Sequence, residues 1–256
     1  MEVQKHPHHV MHSKKWHEYL LEFFMLFLAV FLGFIADNVR ESIADKHKEK
    51  EYIRSMIKDL KTDTSKIAAN DKLYTQTLKG LDSLINNFDL IDSGFNEKFY
   101  KLFRWITYGY PDFIYTDGTI QQLKNAGGFR LIENSDVIDS IMAYDAAVKR
   151  ALINEELLKE NYNAALQNME DLISLRTIKK ILSNAQQEGK ELDQLATAKI
   201  DFLITHDKTT EGKFFNKLVA YRTIMQSVKN VNYKPLKDKG ASLIAFLKKE
   251  YHLKNE

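Results

Sequence analysis

Apolar residues follow three patterns along the chain. Residues 19–36, YLLEFFMLFLAVFLGFIA, are apolar throughout except for Glu22. At 1.5 Å per residue this run spans roughly 27 Å, close to the thickness of a bilayer's hydrocarbon core, and predicts a transmembrane helix. From residue 37 to Gly80 there is no Pro or Gly. Residues 42–51 are almost wholly charged, and Ile53, Ile57, Leu60, Thr64, Ile67, Asp71, Tyr74, Leu78, Leu81, Ile85 and Phe88 then alternate at spacings of four and three. That is the seam of a coiled coil or helical bundle, and polar Thr64 and Asp71 favour an irregular bundle.

A turn is expected at residues 89–94, followed by nine aromatics within residues 95–115 and a loop at Gly109 and Pro111. Thr116 or Asp117 can cap a short helix that ends at Gly127, where a left-handed residue is favoured. Residues 133–188 lack Gly and Pro, and Ile138, Ile141, Met142, Val148, Leu152, Leu158, Tyr162, Leu166, Met169, Leu172, Ile173, Ile178 and Leu182 recur at helical spacing. This predicts one very long helix or two nearly continuous ones, broken by residues 186–190. Shorter helices are expected at about residues 191–205, 212–231 and 237–251, the last beginning after Pro235. No run of alternating β-branched residues predicts a strand. The fold expected is all-α: an N-terminal transmembrane helix continuing into a long helix, then an elongated helical bundle. Its divisions are a polar tail (1–18), an anchor (19–36), a membrane-proximal helix (37–92) and a bundle domain (93–256).

Charge narrows the partners. With 37 basic and 35 acidic residues in 256, net charge +2, nothing draws the chain to nucleic acid. Without cysteine there is no disulfide, zinc-thiolate site or thiol nucleophile. His6, His8, His9, His12 and His17 crowd the tail and are able to ligate a divalent metal, but no carboxylate framework fixes a geometry there, so no metal or cofactor is expected. Ala36, preceded two residues earlier by bulky Phe34, does not make a signal-peptidase site, and the segment reads as an uncleaved signal anchor. Lys and Arg near its two ends do not separate the sides. The signal-anchor pattern favours the tail inside and the C-terminal domain outside.

At 100° per residue, Glu22, Ala29, Gly33, Ala36 and Arg40 share one face of the anchor, away from Phe24, Phe27, Phe31 and Phe34. Ala29 and Gly33 have the small-xxx-small spacing that brings helices close in lipid, so this face predicts association with another copy or another membrane protein. Glu22 either snorkels to the headgroups or serves as an ion-responsive carboxyl. In the aromatic stretch, Trp105, Tyr108, Tyr110 and Tyr115 are candidates to line a ligand pocket, the alternative being plain packing of a helical hairpin. No nucleophile elbow, His-Glu-x-x-His, phosphate loop, dinucleotide fingerprint, EF-hand or Glu-x-x-His di-iron pattern occurs. Nothing here supports an enzyme.

Residues 14–60, together with residues 118–145, GTIQQLKNAGGFRLIENSDVIDSIMAYD, resemble an uncharacterised family of membrane-anchored proteins of the Bacteroidota. The likeness rests on the acid-containing apolar helix leading into a charged helix, and on the element Leu123, Gly127, Arg130, Leu131 and Ile132. It implies a bacterial envelope protein and no defined activity. The function expected is a non-enzymatic scaffold or accessory subunit of an inner-membrane complex, with its C-terminal domain in the periplasm. An envelope sensor and an ion-coupled subunit using Glu22 are the alternatives.

Overall fold

The structure is a computed structural model that describes residues 15–93, 97–107, 109–187 and 201–253. The described elements are α1 (Trp16–Asn86), a 3₁₀ turn (Phe88–Ser93), α2 (Glu97–Thr107), α3 (Gly118–Asn125) and a 3₁₀ turn (Gly128–Leu131). They continue with α4 (Ser135–Leu172), α5 (Leu175–Gln187), α6 (Lys208–Ser227), a π-helical turn (Val228–Tyr233) and α7 (Lys234–Glu250). No strand occurs among the described residues, and one long helix followed by a bundle is the architecture observed. The chain forms two compact units, Met1–Glu51 and Tyr52–Glu256.

In the first unit α1 is long and apolar enough to cross a membrane, with a window of mean hydropathy 2.3, none of which is buried in the protein. The large apolar side chains of residues 16–35 are 41–78% exposed, so this segment belongs to no core of its own chain. Phe23, Phe27 and Phe31 stack at centroid spacings of 6.4 and 5.9 Å.

In the second unit the predicted seam of α1 is the core face. Ile53, Ile57, Leu60, Ile67, Tyr74, Leu78 and Leu81 are buried. Its two polar positions are absorbed differently: Thr64 Oγ1 returns a hydrogen bond to the Leu60 carbonyl at 2.8 Å, and exposed Asp71 faces Lys229 at 3.6 Å. The α4 seam differs from expectation. Its buried positions include Val137, Ile141, Tyr144, Val148, Ala151, Glu155, Leu158, Ala165, Met169 and Leu172, again at four-three spacing, whereas Ile138, Leu152 and Leu166 are half-buried and Met142 is exposed. A charged Glu155 and two alanines conceal that seam from a search for large apolar residues.

Helix ends follow local chemistry. Asn134 Oδ1 accepts from the Asp136 amide at 2.9 Å and starts α4, and Asp207 Oδ2 accepts from the Thr210 amide at 2.9 Å and starts α6 four residues before the expected Gly212. Asp117 makes no such cap; the Thr119 amide donates instead to Asp59 Oδ2 of α1 at 3.1 Å. Gly127 is left-handed as expected (φ 68°), but α3 stops at Asn125. The turn expected at residues 89–94 is 3₁₀ through Ser93, and it buries Ile91.

The long helical stretch is two helices broken at Ile173. There the Ser174 amide donates to the Phe202 carbonyl and the Ile204 amide to the Leu172 carbonyl, each at 2.8 Å. Residues 201–205 are therefore not helical, against expectation; the remainder of the expected helix at 191–205 lies outside the described residues. The last helix, α7, starts at Lys234, about three residues before the expected position, and holds Pro235 in its first turn, where the missing N–H costs least; the π turn leads directly into it.

Two glycines mark close approaches. A Cβ on Gly80 would fall 2.1 Å from the Trp105 ring, and one on Gly240 would fall 2.8 Å from Thr64 Cγ2. Gly80→Ala must displace the indole and is expected to cost roughly 1–3 kcal/mol. Gly212→Ala, in open space on α6, is expected to stabilise by roughly 0.5–1 kcal/mol. Denaturant unfolding of the full chain in detergent checks both signs.

Candidate functional site

Three places hold the candidate residues. On the apolar segment of α1, Glu22, Ala29, Gly33 and Ala36 lie on one helical face; all four are exposed, and a Cβ on Gly33 would meet nothing within 4 Å. Among the described residues, nothing lies within 4 Å of the position a Gly33 Cβ would take on this face.

The aromatic candidates separate. Trp105 and Tyr110 line a cavity of about 400 Å³ with Leu73, Gln76, Thr77, Gly109 and Pro111. Tyr110 also borders a second cavity of about 440 Å³, beside Asp112, Glu155, Glu156 and Lys159. Tyr115 lines neither cavity. Its hydroxyl donates to Asp145 Oδ1 at 3.3 Å and its ring meets Tyr144 edge-on at 6.4 Å. Tyr108 lies outside the described residues.

What gathers the polar chemistry of the second unit is the non-helical segment at residues 109–117, between α2 and α3. Its peptide groups are bound by side chains. The carbonyl of Gly109 accepts from Tyr221 Oη (3.2 Å), that of Pro111 from Tyr74 Oη (2.9 Å), that of Asp112 from Asn70 Nδ2 (2.5 Å) and that of Ile114 from Lys66 Nζ (2.9 Å). The Phe113 amide donates to Glu155 Oε1 and the Thr116 amide to Asp63 Oδ1, both at 2.9 Å. Asp59, Asp63, Lys66, Asn70 and Tyr74 are spaced four, three, four and four residues apart. They form one stripe of α1 that follows the chain from residue 119 back to residue 111.

The buried carboxylates are thereby committed. Glu155 Oε2 also accepts from the Tyr233 hydroxyl, and Asp63 Oδ2 from Tyr144 Oη at 3.3 Å. Burial raises the carboxyls of Asp63 and Glu155 above their ordinary range, only partly offset by these hydrogen bonds. Burial also pushes the hydroxyls of Tyr74, Tyr144, Tyr221 and Tyr233 far up, so all four are neutral donors. Asp145 runs the other way. Burial would raise its carboxyl, but Lys124 at 2.5 Å and Lys149 at 3.0 Å outweigh that and hold it low. Each group has a structural partner, and the constellation contains no nucleophile paired with a free base.

In the element carrying the family resemblance, Leu123 and Ile132 are buried and Gly127 supplies the positive φ of the turn, so these three serve the fold. Sequence reasoning missed the Asp59-to-Tyr74 stripe and Glu155. Polar residues at helical spacing beside an apolar seam were the available signal. No protein-family model, curated protein or solved structure matches the chain.

Glu155→Ala leaves the Phe113 amide and the Tyr233 hydroxyl without a buried partner and is expected to cost roughly 2–4 kcal/mol. Because the folded state holds the Glu155 proton more tightly than the unfolded chain does, the stability this proton linkage adds is complete below the unfolded carboxylate value and is lost as pH rises through the folded one. The stability of wild type relative to Glu155→Gln is therefore expected to fall as pH rises from the ordinary glutamate value of about 4.3 upward. Thermal unfolding of both proteins across that range checks the sign.

Proposed function

We propose that the chain is a non-enzymatic scaffold or accessory subunit of a membrane complex. It would be anchored once in the inner membrane and associate through the Glu22, Ala29, Gly33 and Ala36 face. The observation that carries this reading is the small-residue face on an apolar segment that, among the described residues, is not buried, with open space above Gly33. In lipid, apolar burial gives little drive for association, and small residues in register supply it through backbone contact. The bundle supports the same reading, since its buried Asp63 and Glu155 are occupied in holding residues 109–117. The envelope setting, with the bundle in the periplasm, rests on the signal-anchor pattern and the likeness of residues 14–60 and 118–145 to the Bacteroidota family.

A second reading, a ligand sensor, is favoured by the cavity that Trp105 and Tyr110 share. It predicts that an envelope extract raises the melting temperature of the full chain and that Trp105→Ala removes the shift.

The scaffold reading is tested by purifying the tagged chain from its native membrane in mild detergent and weighing the particle. A mass above that of one chain is expected, from further copies or a stoichiometric membrane partner. Gly33→Leu is expected to reduce it to the single chain while Glu22→Gln leaves it intact. A single chain in the wild-type particle would refute the scaffold, and loss of the assembly in Glu22→Gln alone would move the role to an ion-coupled carboxyl.

A further inference from the structure

Away from the threaded segment, three ligand-type side chains meet where the end of one element faces the start of another. Asp92 comes from the 3₁₀ turn after α1, His206 from the loop before α6, and Glu211 from the first turn of α6. One donor atom from each lies within 4.8 Å of the others. Two observations set this trio apart from an ordinary acidic surface. Glu211 is only 6% exposed, and its Oε1 is a buried acceptor with no hydrogen-bond partner among the described residues. Leaving such an oxygen unpaired is costly, and native folds rarely do so without a reason. Its other oxygen, Oε2, accepts from Lys208 Nζ at 2.7 Å, and the same ammonium reaches Asp92 Oδ2 at 2.7 Å. A cation is thus already held between the two carboxylates, but it satisfies only part of what they offer.

The second observation is the orientation of His206. Its Nε2 is 2.7 Å from Asp201 Oδ2. A histidine bound to a metal through one ring nitrogen characteristically gives the other to a carboxylate, which fixes ring and tautomer. Here that leaves Nδ1 as the metal-binding atom.

We propose that Asp92, His206 and Glu211 bind a divalent transition-metal ion of the zinc type, with Asp201 orienting His206 and Lys208 as the resident cation that the metal displaces. An imidazole with two carboxylates suits zinc and its first-row neighbours and does not suit calcium or magnesium, which take oxygen ligands. Three protein ligands leave a fourth position for water. The donor atoms need to close by a fraction of an ångström to reach zinc distances of about 2.0–2.2 Å, and the side chains of Asp92 and His206 are exposed enough to turn. The Lys208 side chain, 69% exposed, is free to swing into solvent. Bound metal would pair Glu211 Oε1 and clamp the turn after α1 to the start of α6. This site is independent of the membrane face.

The five tail histidines are also able to ligate such an ion, so the test uses the full chain with His6, His8, His9, His12 and His17 replaced by Gln. Zn²⁺ is titrated by calorimetry, and the melting temperature is followed with and without it. One saturable Zn²⁺ per chain and a raised melting temperature are expected. His206→Ala and the isosteric Glu211→Gln are expected to weaken binding at least about tenfold without changing the metal-free melting profile of His206→Ala. Lys208→Met is expected to tighten binding, a gain that misfolding cannot produce. No saturable Zn²⁺ uptake in the tail variant, or uptake that His206→Ala leaves unchanged, would overturn the proposal. So would a Lys208→Met protein that binds Zn²⁺ no more tightly than its parent.

Discussion

Peptide groups in a non-helical segment have no helical partners of their own, and wherever such a segment is buried each N–H and C=O must be paired by something else. In the second unit residues 109–117 are such a segment, buried at Phe113, exposed at Asp112 and Ile114 and half-buried elsewhere, and α1 supplies most of its partners. Asp59, Asp63, Lys66, Asn70 and Tyr74 present acceptors and donors in the order the segment needs them, running antiparallel to it. Glu155 from α4 and Tyr221 from α6 complete the set. Two carboxylates are buried to do this, which is tolerable because each accepts two hydrogen bonds and because burial raises their proton affinity. The rest of the packing follows. Tyr74, Tyr144, Tyr221 and Tyr233 each pair a hydroxyl with this network while burying a ring in the core, so the same residues supply both the apolar contact and the polar partner.

Much of the helical framework was legible in the sequence because apolar spacing reports it directly. The α1 seam, the near-continuous pair α4 and α5 and the left-handed Gly127 all follow from spacing or from the absence of Cβ. What could not be read had specific causes. The α4 seam passes through Glu155, Ala151 and Ala165, and a charged or small residue in a core position looks like a surface residue until its partner is known. The helix expected at residues 201–205 yields to two backbone hydrogen bonds from a stretch about thirty residues earlier, which no local propensity encodes. The helix start near Pro235 was legible from the proline, but the π turn that joins it to α6 was not.

The candidate sites divide along the same line. The face on the apolar segment of α1 depends on helical phase alone, so the shared side of Glu22, Ala29, Gly33 and Ala36 could be placed from sequence. The aromatic group could not, because its members go to different surroundings: Trp105 and Tyr110 to a shared cavity, Tyr115 to the Asp145 network. The Asp92, His206 and Glu211 trio spans more than a hundred residues and carries no spacing motif. Together these features describe a bundle that uses buried Asp63 and Glu155 to hold its own backbone, preceded by a helical segment long and apolar enough to cross a membrane and exposed among the described residues.

The central claim, that α1 and α4 hold the segment as firmly as a secondary structure would, is tested most directly by amide hydrogen exchange on the full chain in detergent. The account predicts that the Phe113 and Thr116 amides exchange only with global opening, as slowly as the core of α4. Exchange of these two amides near the rate of an unstructured peptide, with α4 still protected, would contradict it.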